Sequence, residues 1–306
     1  MSVDMAPVNV APVDVAIVGG SYAGLSAALQ LARARRSVVV VDAGVRRNRF
    51  AESSHGFLSR DGEAPGAIAA HGREQLLAYP NVRFVEGTAE TAGRDGANLV
   101  VSLQGENIAA RRLILATGVV DELPSIPGLE ERWGRTVFHC PYCHGYELGQ
   151  GRIGVLATGQ NSFHQAMMLP DWGPTTLFAN EVFEPDAAQA AMLNARGVEI
   201  ESERVVAVDG AKASVVLNGG RTVSLEGLFV ASRTRMASDL PAALGCAFEE
   251  GPLGPYIQTN EAKETSVEGV YACGDAARGA GSVSHAVGDG VTAAVAAHKS
   301  LIFDVH

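Results

Sequence analysis

Residues 14–24 read Asp14-Val15-Ala16-Ile17-Val18-Gly19-Gly20-Ser21-Tyr22-Ala23-Gly24, an apolar run that breaks into a glycine-rich turn. An alanine-rich stretch then continues to about Arg36. The pattern predicts strand, turn and helix. The next apolar run, Ser37 to Val41, ends in Asp42, the distance at which an acidic side chain meets the ribose hydroxyls of an adenine dinucleotide. Gly19 permits the sharp turn and Gly24 lets helix and strand pack closely, while Ser21 replaces the middle glycine of the usual fingerprint. The stretch therefore predicts a dinucleotide-binding β-α-β unit, with Gly19, Gly20, Ser21, Gly24 and Asp42 around the pyrophosphate and ribose.

The whole chain supports an α/β protein. Its 306 residues are 47% hydrophobic and 19% charged, enough to bury a large core and to divide into two domains. Thirty-five glycines and 6% aromatics suit many tight strand-to-helix turns. No apolar run reaches membrane-spanning length, so no membrane partner is expected. A net charge of −10 argues against a broad basic surface for nucleic acid. The first dozen residues, MSVDMAPVNVAP, lack the basic start and long apolar segment of a signal peptide and read as a short mobile tail. A cytoplasmic location is the expectation.

Two of the four cysteines stand in His139-Cys140-Pro141-Tyr142-Cys143-His144-Gly145. Two residues between thiols allow a disulfide to close at the first turn of a helix, where free amides and the dipole favour a thiolate. In a cytoplasmic chain such a pair points to catalysis of two-electron exchange. A zinc site built on Cys140, Cys143 and a histidine is the alternative, but Cys246 and Cys273 are isolated and supply no second knuckle. No metal is expected.

Downstream, Arg112 to Ala116 runs into Thr117-Gly118, and Leu123-Pro124-Ser125-Ile126-Pro127-Gly128 breaks regular structure. Much later, Val270-Tyr271-Ala272-Cys273 runs into Gly274-Asp275. Glycine fingerprint, Ala-Thr-Gly strand end, mid-chain Cys-x-x-Cys and late Gly-Asp follow the order of the low-molecular-weight thioredoxin reductases, which the chain resembles over nearly its whole length. The resemblance implies two Rossmann-like dinucleotide-binding domains: an FAD domain made of 1–123 and 244–306, and an inserted domain, 124–243, carrying the Cys-x-x-Cys. It also implies a homodimer, and roles for Gly118, Gly274 and Asp275 at FAD. Cys246 and Cys273 read as small buried side chains.

The inserted domain departs from that pattern. Its expected nucleotide turn reads Ala157-Thr158-Gly159-Gln160-Asn161-Ser162, with Ala157 in place of the first glycine. Pro170 interrupts the following helix, and Asn180-Glu181 stands where thioredoxin reductases carry a basic cluster for the 2′-phosphate. NAD(P)H binding is therefore doubtful. His144 follows the second cysteine where the family usually has an acid, and an imidazole can take a thiol proton near neutral pH.

Cys-Pro-Tyr-Cys-His-Gly-Tyr-Glu, with Arg47-Asn48, His55-Gly56-Phe57 and Asp61-Gly62, is similar to one branch of the family: the FAD-dependent dithiol oxidases that close disulfides in natural products such as gliotoxin and holomycin. That narrower resemblance implies a small dithiol as substrate and oxygen or another electron acceptor. It gives Asn48 and His55 to the flavin side of the site, makes Cys140 the thiol that meets substrate and Cys143 the one next to flavin, and offers His285 as a second proton carrier. Two other readings remain open at the level of sequence, an NAD(P)H-dependent thioredoxin-disulfide reductase and a redox-sensing flavoprotein without turnover.

Overall fold

A computed structural model describes residues 11–303; the first ten residues of the expected tail lie outside the described residues. The chain forms two compact units. One comprises residues 1–47, 66–120 and 234–306, and the other residues 48–65 and 121–233. Among the described residues no helix is long and apolar enough to cross a membrane.

The first unit is built on one seven-stranded sheet. Its strands are β1 (Val13–Val18), β2 (Val38–Asp42), β3 (Val82–Glu86), β4 (Thr91–Asp95), β5 (Asn98–Leu103), β6 (Glu106–Leu115) and a last strand, Val270–Ala272. The order is β3-β2-β1-β6-β5-β4, with Val270–Ala272 also pairing with β6. β1 is parallel to both neighbours, β2 and β6. A parallel strand covered on both faces needs apolar residues, which is why the buried stretch Val15–Val18 of β1 shows no alternation in sequence, while Asp14 at its half-buried start pairs with Arg36 and Arg111. Its successive side chains serve opposite layers: Val15 and Ile17 join the core against α1 (Tyr22–Arg33) and the C-terminal helix Val283–Phe303, and Ala16 and Val18 join the core beyond. Winding reverses at β1, so the carboxyl ends of β1 and β6 frame the crevice where doubly wound sheets take ligands.

The second unit repeats the plan on a smaller scale. Five parallel strands lie in the order Glu199–Glu201, Thr175–Phe178, Ile153–Leu156, Gly227–Val230, Val137–Phe138. A three-stranded antiparallel meander, 205–223, covers one face. Val137 and Phe138 again divide between the two layers. This edge strand delivers the chain directly into His139-Cys140.

Close packing of α1 on the C-terminal helix depends on small residues. A Cβ on Gly290 would lie 2.2 Å from the Ala23 carbonyl oxygen, closer than any real contact allows. Gly290→Ala is expected to cost about 1–3 kcal/mol by forcing the helices apart. Thermal unfolding of the purified variant checks this, and an unchanged melting temperature would contradict it.

Candidate active site

The turn after β1 is as tight as the sequence requires. Gly19 adopts φ +104°, and a Cβ on Gly24 would lie 1.8 Å from the Gly19 carbonyl oxygen. Ser21 caps α1 in extended backbone without using its side chain for the cap. The Gly20 amide donates to Asp42 Oδ1 at 2.9 Å, which ties the glycine turn to the end of β2. At the end of β6 the Thr117 hydroxyl is buried with no hydrogen-bond partner, and Gly118 follows at φ +69°. A buried hydroxyl without a partner carries a cost unless a ligand satisfies it.

The late Gly-Asp motif closes the same unit. Gly274 has φ +69°, and Asp275 Oδ2 accepts from Arg47 Nη1 at 2.9 Å. That ion pair joins residues 228 positions apart. Sequence motifs gave Arg47 and Asp275 separately and offered no signal for their contact. Asp289 is buried between Lys263 at 3.0 Å and Arg278 at 2.7 Å. Burial works against its charge, but the Arg278 and Lys263 hydrogen bonds outweigh that and hold the carboxyl below its ordinary value. Cys273 is fully buried beside this cluster, and desolvation pushes its thiol up to about 12, so it is no thiolate. Burial also raises Cys246. His285 lies exposed near the start of the C-terminal helix, with Nδ1 3.3 Å from Ser282 Oγ.

In the second unit Cys140 and Cys143 form a disulfide with Cα atoms 5.3 Å apart. Cys140 is the N-cap of a single helical turn, Pro141–His144, and Pro141 takes the first position, where its missing amide costs nothing. Both cysteines are half-buried, so exposure class does not separate their roles. His144 stacks on Phe138 with ring centroids 4.5 Å apart. Burial lowers its pKa, the charge of Glu147 opposes that, and His55 adds to the lowering. The net result is a neutral imidazole at pH 7, one position from a disulfide. Tyr142 stands edge-on to Trp172 at 5.3 Å and is mostly exposed. Asn48 and His55 lie in the second unit, where the Asn48 carbonyl accepts from the Ala51 amide at 3.2 Å and His55 stands 3.5 Å from Glu147.

The nucleotide turn of this unit is occupied by its own side chain. The Thr158 amide donates to Ser162 Oγ at 2.9 Å, and Ala157 is buried against the sheet. The helix behind it, Asn161–Met168, has eight residues and gives way to a 3₁₀ turn at Pro170. At the edge beyond, Glu181 is exposed in a left-handed conformation at φ +57°. Neighbouring Glu201 and Glu203 both pair with Arg221, so this arginine is already engaged by carboxylates.

Two dinucleotide-binding folds, a glycine cradle and a redox disulfide define a flavin-type thiol-disulfide oxidoreductase. Residues 13–290 match the profile of the pyridine nucleotide-disulphide oxidoreductases, and the chain belongs to that family. It is similar to thioredoxin reductase tcpT of Claviceps purpurea, 32% identical with 96% of each chain covered. Thioredoxin reductase sirT of Leptosphaeria maculans is also 32% identical, over 92% of this chain and 91% of its own. Among solved structures, an oxidoreductase from Agrobacterium tumefaciens superposes with a TM-score of 0.94 at 54% identity, covering 96% of this chain and 100% of its own. HlmI superposes with a TM-score of 0.89 at 37% identity, covering 95% and 93%.

The protein is thus a thioredoxin-reductase-like oxidoreductase, and FAD is the cofactor of its family. The first unit fits that group: Gly19, Gly20 and Ser21 offer a helix N-terminus to a pyrophosphate, Asp42 keeps one carboxylate oxygen beyond its Gly20 bond for ribose, and Thr117 has an unused hydroxyl. Asp42→Ala removes both the ribose acceptor and the tie to Gly20. Purified variant protein is expected to retain markedly less FAD than wild type, read from its visible absorbance; equal retention would contradict the placement of the cofactor.

Proposed function

We propose that the protein is a dithiol oxidase, forming a disulfide in a small-molecule dithiol with Cys140 and Cys143 as the exchanging pair. The observation that carries this reading is the neutral, half-buried His144 beside the disulfide, a base suited to thiols at neutral pH. His144 takes a proton from one substrate thiol. The thiolate attacks Cys140, the Cys140–Cys143 bond breaks, and a mixed disulfide forms while Cys143 leaves as thiolate. The second substrate thiol, deprotonated in turn, displaces Cys140 and closes the product. FAD, when bound, supplies the two-electron acceptor that lets Cys140 and Cys143 close again. Oxygen or another acceptor then takes the electrons onward, and a homodimer is the proposed assembly.

The names of relatives such as tcpT and sirT favour a second reading, reduction of thioredoxin or a similar disulfide by a pyridine nucleotide. Against it stand Ser162 in the nucleotide turn and carboxylates at the edge where a 2′-phosphate needs a cation. Two electrons would enter the same disulfide from the opposite side. Direction is what separates the readings.

Incubation in air with a panel of small dithiols is expected to yield disulfide product well beyond the enzyme concentration, which a redox sensor would not do. Cys140→Ser and Cys143→Ser should each abolish it. His144→Gln should slow it by about a hundredfold. Because burial lowers the His144 pKa, activity should persist below the ordinary imidazole value near 6.5 and fall only as His144 protonates. Stoichiometric oxidation without turnover, or a pH profile unchanged in His144→Gln, would contradict the proposal.

A further inference from the structure

Behind His144 stands a set of acid–base groups that the reaction described above leaves unused. Glu147 lies three residues on, in the 3₁₀ turn Tyr146–Leu148 that follows the short helix. His55, in the segment 48–65, is held between two carboxylates: Nε2 is 3.5 Å from Glu147 Oε1, and Nδ1 is 3.7 Å from Asp61 Oδ1. Asp61 is itself fixed, accepting from the Gly56 amide at 2.7 Å. Side-chain exposure is 21% at His55, 41% at Glu147 and 70% at Asp61, so the outermost group is the most open to solvent. Both carboxylate–imidazole separations are ion-pair distances that a small side-chain movement turns into direct hydrogen bonds.

Stoichiometry gives this set a task. Oxidising a dithiol to a disulfide forms one S–S bond and releases two electrons and two protons. FAD, when bound, would accept the electron pair from Cys140 and Cys143 together with one proton. The other must reach solvent, and His144 is half-buried and stacked on Phe138. Resting on the dithiol-oxidase reading, we propose that Glu147 and His55 are positioning residues of the acid–base step. Glu147 holds the His144 imidazolium, and His55 relays the surplus proton to Asp61 at the surface.

Glu147 and His55 are the charged groups that act on His144, and Glu147, Asp61 and His144 are those that face His55. A carboxylate at Glu147 favours protonated His144, whereas positive charge at His55 disfavours it. Removing the two therefore moves His144 in opposite directions. A general disturbance of the loop would not produce opposite signs.

The test uses FAD-loaded wild type, Glu147→Gln, Glu147→Asp and His55→Gln, all oxidised and labelled at histidine Cε1. His144 is titrated by NMR, its signal assigned by loss in His144→Gln, and each protein is mixed anaerobically with dithiothreitol in H₂O and D₂O while flavin absorbance is followed. His144 is expected to titrate at lower pH in Glu147→Gln and at higher pH in His55→Gln, with Glu147→Asp restoring the wild-type value. Bleaching at pH 7 should slow by about tenfold in Glu147→Gln and His55→Gln. Shifts of the same sign, or none, overturn the proposal even when bleaching is normal. Opposite shifts in proteins that dithiothreitol fails to bleach support the coupling and instead remove the dithiol-oxidase reading.

Discussion

A parallel sheet covered on both faces can meet a ligand only at its strand ends, and that constraint organises both units of this protein. From Val15 to Val18 every position of β1 is committed to one core layer or the other, so no polar residue stands between Asp14 and Gly19. Chemistry is therefore pushed to the turns: Gly19–Gly24 after β1, Ala116-Thr117-Gly118 after β6, Gly274-Asp275 after the last strand. In the second unit the edge strand Val137–Phe138 ends at the redox pair itself. Phe138 serves twice, as a core residue of the sheet and as the surface on which His144 stacks.

The two units have used the same architecture differently. In the first, the Gly19 and Gly20 amides are tied to the end of β2, through the Val41 carbonyl and the Asp42 carboxylate, and fix the tight turn into α1. In the second, Ser162 has taken the amide that a pyrophosphate would need, and the receiving helix is short. Burial beside Phe138 meanwhile lowers the pKa of His144, which suits the dithiol oxidation proposed above. The second unit thus fits a role in thiol exchange better than one in nucleotide binding.

Much of this was legible in sequence because glycine turns, apolar runs and Cys-x-x-Cys are local signals. The fingerprint after β1 follows from contiguous residues, as does its loss around Ala157. What sequence could not supply was contact between distant segments. The Arg47–Asp275 pair depends on the strand Val270–Ala272 returning to β6, and the burial of Asp289 on the C-terminal helix meeting Lys263 and Arg278. His55 shows the same difficulty: its contacts with Glu147 and Asp61 join separate stretches of sequence and carry no local signal. Glu147 was visible in the motif, three residues beyond His144, but only folding brings His55 to it.

The central claim is that electrons enter from a dithiol and not from a nicotinamide. Stopped-flow absorbance under anaerobic conditions tests it most directly, with the oxidised holoenzyme mixed separately with dithiothreitol, NADH and NADPH. The account predicts ready bleaching of the flavin by the dithiol, poor reduction by either nicotinamide, and the poorest by NADPH, whose 2′-phosphate meets the acidic edge around Glu181. Rapid, saturable bleaching by micromolar NADPH, with none by the dithiol, would contradict it.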